Sequence, residues 1–357
     1  GMKLGTPVLL VALAVVGCGE PTPPPVPPPL PPVASVTPSA TVSTPPVASS
    51  APVVVTLPPT PPLGELQLTS LKAAADALNQ HDAHKYASVF TRDAIHKEAA
   101  ARDVVGREDI ARRMQLLFTS FPDFKFSFDR VWQKGNVAVA TWHWNGTDTG
   151  GFLGKKATGR KAGVQGVSVG FYNSDGLVRE IHVYEDGQTI VQQLDAASPA
   201  GSFRAAPADA PGAMEVIVSA GGPDEAQGLA AAKALYDALE AKKELAATAL
   251  FDAAATVDDF AIPPRVGKGP GTWKALYASW LGNFGNYTQL PLYNQLAVND
   301  YVISERVLKG TVPLGSPVSL HCIDIAQVKD GKIVHFGSWS NTLELIVQVG
   351  KRGLRKP

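Results

Sequence analysis

Two stretches of this chain resemble each other at a fixed separation. Residues 175–194 read DGLVREIHVYEDGQTIVQQL and residues 330–349 read DGKIVHFGSWSNTLELIVQV, offset by 155 positions without a gap. Each opens on Asp-Gly, a turn dipeptide because glycine reaches positive φ freely and aspartate tolerates it. Each then runs extended and closes on an apolar stretch ending at Gln193 or Gln348. Such a period in a chain of 357 residues predicts two related domains, each with its own core. Strand alternation in the first copy puts Glu180, His182, Tyr184 and Asp186 on one face, with Ile181 and Val183 on the other. The matching face of the second copy carries His335, Gly337, Trp339 and Asn341. The first copy therefore ends in an ionisable carboxyl where the second has an amide.

The flanking segments repeat as well. Residues 68–90 show helical spacing in Leu71, Ala74, Leu78, Tyr86, Val89 and Phe90, with a break near residues 81–84. Residues 107–121 carry the apolar stripe Ile110, Met114, Leu117 and Phe118, and Pro122 stops it. Strand-like runs follow at 124–132, 137–144, 161–173 and 178–185. Helices followed by a strand meander predict an α+β fold with an antiparallel sheet. Residues 226–350 repeat that order, with strands expected at 287–297, 301–311, 317–329 and 333–339. The expected organisation is a signal at 1–18, a Pro-rich stalk at 19–64 and a first domain at 65–198. An Ala/Pro/Gly-rich linker at 199–223, with a short strand near 214–218, leads to a second domain at 224–351.

Formal charge balances, 32 basic against 32 acidic residues with no like-charged block, which argues against a nucleic-acid partner. The apolar run at 8–16 is too short for a bilayer span of about 20 residues. It ends in Val15-Val16-Gly17-Cys18, which resembles the lipobox of a bacterial lipoprotein signal. The resemblance implies lipidation of Cys18, membrane attachment through that lipid, and a lipid-anchored place in the bacterial cell envelope, at the outer membrane or periplasmic side. The Pro-rich stretch behind it cannot bury enough surface to offset its ordering entropy and reads as a stalk. Cys322, the second of two cysteines, sits in an apolar strand pattern and reads as an inert buried thiol.

Several motifs in the first domain are similar to the SnoaL-like polyketide cyclases of the nuclear-transport-factor-2-like superfamily. They are Phe121-Pro122-Asp123, the run from Gly146-Thr147-Asp148-Thr149-Gly150 into Phe152-Leu153-Gly154, Ala157-Thr158-Gly159-Arg160, and the closing Tyr184-Glu185-Asp186. The resemblance implies two tandem cone-shaped α+β barrels, each a curved antiparallel sheet wrapped by helices around an apolar pocket. It also implies a carboxylate near the end of the last strand acting as general acid/base without metal or cofactor, the position of Asp186, and a pocket position at His96. Asp148 departs from the family, which often has His there. The second domain lacks the Gly-Thr-X-Thr-Gly run and places Val257 where His96 would be. Asn341 cannot shuttle a proton at neutral pH.

Each candidate has a plainer reading. Asp186 is either a general base or the N-cap of the following helix, a job Asn341 would do equally well. His182 either relays a proton or is a hydrogen-bonded structural histidine, and His96 is the same kind of case. Tyr184, Trp142, Trp144, Phe118, Trp339 and Asn341 are ligand contacts or filling. Trp142 and Trp144 share a strand face that His143 does not, so one face can be pocket and the other an interface. His81, Asp82 and His84 lack a further ligand for a metal and read as helix-end residues. The resulting expectation is a protein that binds a small apolar or aromatic molecule in the first pocket. The alternatives are a cofactor-independent cyclase, isomerase or hydrolase using Asp186, and a structural tandem with filled cores. The pairing surface would join the two domains or two copies of the chain.

Overall fold

The structure, a computed structural model, describes residues 62–199, 201–209, 213–261, 265–283, 285–289, 294–312 and 316–353. The expected signal with Cys18, and nearly all of the stalk, lie outside the described residues. The first half runs α1 (Leu63–Asn79), α2 (Ala83–Ser88), β1 (Phe90–Glu98), β2 (Val104–Val105), α3 (Arg107–Ser120), β3 (Lys125–Lys134), β4 (Val137–Thr147), β5 (Lys161–Tyr172), β6 (Val178–Tyr184) and α4 (Gly187–Leu194). After β7 (Glu215–Val218) the order recurs: α5 (Pro223–Glu240), α6 (Glu244–Thr248), β8 (Phe251–Asp259), β9 (Arg265–Lys268), α7 (Pro270–Asn283), β10 (Gly285–Gln289), β11 (Asn294–Val298), β12 (Tyr301–Thr311), β13 (Pro317–Lys329), β14 (Lys332–Ser340) and α8 (Leu343–Gly353). Both halves are α+β.

Local chemistry accounts for the element ends. Asp82 caps α2, its carboxylate accepting from the Lys85 amide at 2.9 Å, and the His81 ring bonds the Phe124 carbonyl at 2.8 Å. These two residues are therefore structural. Gly106, with φ at 94°, turns the chain into α3, whose first turn carries Glu108 and Asp109 at the positive end of the helix dipole.

The sheets are mixed, not wholly antiparallel. The first has the order β2-β1-β6-β5-β4-β3-β7, and the second β10-β12-β13-β14-β8-β9 with β11 also on β12. β1 runs parallel to β6, β8 parallel to β14, and the linker strand β7 parallel to β3. The sequence pattern does not flag β1, because its inward positions Ala94, His96 and Glu98 are mostly polar and its partner strand lies more than 80 residues away.

Strand alternation gives each sheet two different buried faces. On β4, Ala138, Ala140, Trp142 and Trp144 join the helix-covered core of the first half. Val139, from the opposite face, joins Trp132, Val167, Val169 and Tyr184 in a separate core. That core is completed from the second half by Val298, Tyr301, Ile303, Ile323, Ile325 and Trp339. The two sheets thus pack face to face, with helices on the outer sides.

The contact between the halves has the reciprocity of a twofold interface. Asp186 accepts from the Thr342 amide at 2.8 Å, and its counterpart Asn341 accepts from the Gly187 amide at 3.0 Å. Residues 186 and 341, and 187 and 342, are 155 apart, so each copy makes with the other the bond that the other makes with it. Ile323, fully buried at the centre of the shared core, reports on this packing. Ile323→Ala is expected to lower stability in urea denaturation by about 2–5 kcal/mol, with both halves unfolding in one transition.

Candidate functional site

A cavity of about 660 Å³ opens between the first sheet and its helices. Its walls are apolar, with Leu71 and Leu78 from α1, Met114 from α3, Phe124, Trp142 from β4, and Ile181 and Val183 from β6. The Trp142 ring lies across Gly166, where a Cβ would come within 2.3 Å of it, and its indole N–H donates to Ser168 Oγ at 2.8 Å. The glycine is what lets the ring lie flat on the neighbouring strand.

Polar groups collect at one pole. β1 presents His96 and Glu98 inward at alternate positions, α3 contributes Arg113, and Glu185 follows Ile181 and Val183 on the same side of the chain leaving β6. Arg113 donates to Glu98, and the Trp144 indole N–H donates to Glu185 Oε2 at 3.1 Å. His96 is buried, and its Nδ1 has no hydrogen-bond partner among the described residues.

Burial sets the charge states here. It raises the Glu185 carboxyl from 4.5 to about 7, aided by the nearby Glu98 charge and opposed by the Trp144 bond and Arg113. Glu98 is also raised by burial, against the opposing pull of Arg113. Burial and the Arg113 charge lower His96 to about 3, so its imidazole is neutral at pH 7. The pole therefore holds a carboxyl half-ionised near neutrality beside a neutral ring with a free nitrogen.

The second half closes one side. Asn341 and Leu343 line the cavity, and Asn341 Nδ2 donates to the Ala99 carbonyl at 3.0 Å. The interior of the second half is filled differently. Register puts Val257 at the place of His96 and Asp259 at that of Glu98, since they pair Phe336 and Ser338 as the first two pair Ile181 and Val183. Leu276 stands at the seventh position of α7, as Arg113 does in α3, and Ser340 stands 155 residues after Glu185. A buried Arg306–Asp324 ion pair, with Tyr236 and Ser338 bonded to the same carboxylate at 2.9 and 2.7 Å, occupies space on the helix side.

The expected site residues divide between the two faces. His96, Trp142, Trp144 and Asn341 line the cavity. Phe118 packs behind it, 5.6 Å from the Phe124 ring and 5.4 Å from the His81 ring. Asp186 does not reach the cavity. It caps α4, with one oxygen accepting from the Thr189 amide and hydroxyl at 3.2 and 2.7 Å and the other from the Thr342 amide and hydroxyl at 2.8 and 2.7 Å. His182 and Tyr184 face the other sheet, both bonded to Glu305 at 2.6 Å, and His182 also meets Glu180 at 2.7 Å. Burial lowers the His182 pKa, but the bonds and charge of Glu305 and Glu180 outweigh it and hold it above its ordinary value. Trp339 stacks on Phe260 at 4.2 Å in the shared core. The expected face of β6 is a real set, but it is the interface face. Glu185, Glu98 and Arg113 escape the sequence reading, although Glu185 ending the Ile181–Val183 alternation was a usable signal.

Residues 69–194 match the family model of the SnoaL-like polyketide cyclases. No curated protein matches the chain in sequence. Among solved structures, a SnoaL-like protein from Jannaschia sp. CCS1 is 18% identical, covering 39% of this chain and 98% of its own, with a TM-score of 0.36. TsrD from Streptomyces laurentii is 20% identical over 37% of this chain and 96% of its own, with a TM-score of 0.34. A protein with a ketosteroid isomerase-like fold from Catenulispora acidiphila, solved with trimethylamine, is 18% identical over 36% and 97%, with a TM-score of 0.31.

A carboxyl whose pKa rises on folding contributes stability that is complete below its unfolded pKa and is lost as pH rises through the folded one. For Glu185 that window runs from about 4.5 to about 7. Glu185→Gln, which cannot ionise, is therefore expected to gain stability over the parent between pH 5 and pH 8 by about 1–3 kcal/mol, read from paired denaturation curves.

Proposed function

We propose that the first domain admits a small, largely apolar, ring-bearing carbonyl compound and moves a proton on it, with Glu185 as general base and acid. The observation that carries this reading is a carboxyl raised to about 7 at the polar end of an apolar cavity. Such a group is ionised often enough to abstract a proton and basic enough to hold it. As a proton leaves carbon, charge develops on the carbonyl oxygen. The neutral His96 ring has an unpartnered Nδ1 to offer that oxygen as a donor, in the tautomer carrying its proton there. Arg113, tied to Glu98, adds a positive field at the same pole. The proton returns to carbon or oxygen from Glu185, a step that needs no group outside the chain. Asn341 and Leu343 give the second half a part in shaping this cavity.

A carrier that binds the same molecule unchanged is the second reading, favoured by the predominance of apolar wall over polar pole. A proton-transfer probe of the right size separates the two. 5-Nitrobenzisoxazole opens when a base removes its ring C–H proton, the N–O bond breaking to give a coloured phenolate nitrile. Saturable ring opening is expected, with kcat/KM climbing through an apparent pKa near 7. Glu185→Gln should lower it by about 10²–10⁴-fold, whereas Asp186→Asn, which keeps the helix cap, should leave it within a few-fold. Turnover no faster than in carboxylate buffer would leave the carrier reading in place.

We also propose export and lipid anchoring at Cys18, on the strength of the apolar run and Val15-Val16-Gly17-Cys18. Fatty-acid labelling should mark the parent chain, and Cys18→Ser should abolish the label and release the protein from membranes.

A further inference from the structure

A second hollow, of about 300 Å³, lies where the two sheets meet. Trp132 and Tyr301 meet edge to face at 5.3 Å, and Trp339 stacks on Phe260 at 4.2 Å with an angle of 6°. Trp132 and Trp339 are 2% and 6% exposed, yet neither indole N–H has a hydrogen-bond partner among the described residues. Each such buried donor without an acceptor is a cost of about 1–3 kcal/mol. Both residues line one aromatic hollow, so a guest carrying an acceptor there can recruit either donor by a turn of its ring.

The charges around the hollow are already matched. Arg130 lies over the Trp132 and Tyr301 rings, gives Nε to Glu215 at 2.6 Å and reaches the Tyr301 hydroxyl at 3.3 Å. Asp129 pairs with His143 at 2.9 Å, and His335 bonds Thr256 at 2.6 Å. An anionic guest would meet the Asp129 carboxylate and a cationic one the Arg130 guanidinium, while a neutral acceptor satisfies the indoles without disturbing either pair. We propose that this hollow is a second binding site, between the two sheets, for a flat neutral aromatic molecule carrying a carbonyl oxygen. It is independent of proton transfer at Glu185 and uses residues from both halves, so neither half alone contains it.

Coumarin is a suitable probe, being flat, neutral and carbonyl-bearing. The full chain, labelled with nitrogen-15, is titrated with coumarin while the indole N–H signals, assigned by single Trp→Phe variants, are followed. The Trp132 and Trp339 signals are expected to move together and saturate with one Kd, in the parent and in Glu185→Gln alike. Trp339→Phe keeps an aromatic ring, though a smaller one, and loses the donor, so the Trp132 signal should still move, with affinity weakened about five- to tenfold. Its melting temperature, compared with that of the parent, shows that the fold is kept. Benzoate at the same concentrations should leave both signals in place. The proposal is overturned if coumarin moves only the Trp144 signal, which reports on the larger cavity. It is equally overturned if benzoate shifts Trp132 and Trp339 as much as coumarin does.

Discussion

Face-to-face packing of the two sheets is the constraint from which the remaining features follow. A strand has two faces, and a sheet covered by helices on one side leaves the other to water or to a partner. Here Trp132, Val139, Val167 and Val169 meet Ile303, Ile323 and Ile325, so both faces of each sheet are buried. Successive side chains on one strand then enter different environments. Ile181, Val183 and Glu185 go to the cavity, while His182 and Tyr184 go to the shared core. Asp186 is claimed by the reciprocal caps that join the halves.

The halves use the same backbone plan for different ends. In the first, an incompletely filled interior leaves a cavity whose polar pole is starved of water, and that desolvation raises Glu185 and Glu98 and lowers His96. In the second, Val257, Leu276 and Ser340 stand at the places of His96, Arg113 and Glu185, and a buried Arg306–Asp324–Tyr236–Ser338 network sits on the helix side. Asp259 keeps a carboxyl at the Glu98 position and is raised to about 7 by burial, but without the other three partners. Among the described residues the four polar groups thus stand together in the first half alone. The second half reaches back through Asn341 and Leu343 to wall the cavity.

Much of this was legible in the residues. The 155-residue repeat, the helices around Leu71 and Ile110, the strands of the meander and the substitution of Val257 for His96 all rest on local pattern or direct alignment. The opposition of Trp142 and Trp144 to His143 follows from the two-residue strand period and holds in the structure, with pocket on one side and the shared sheet contact on the other. β1 was not legible, because its inward His96 and Glu98 break the apolar alternation that marks a strand.

The sequence by itself determined the duplication, the α+β order and the division of each strand into two sets of side chains, because these depend on spacing along the chain. Only the tertiary structure decided which set faces the cavity. Both faces of β6 mix apolar with polar residues, so alternation cannot say whether helices or a second sheet will cover a given side. That depends on contacts such as Tyr184 with Glu305 and Asp186 with Thr342, between residues more than 120 positions apart. The ionisation of Glu185 has the same origin, since burial among side chains from α3, β1 and β4, and not its place in the chain, sets its pKa.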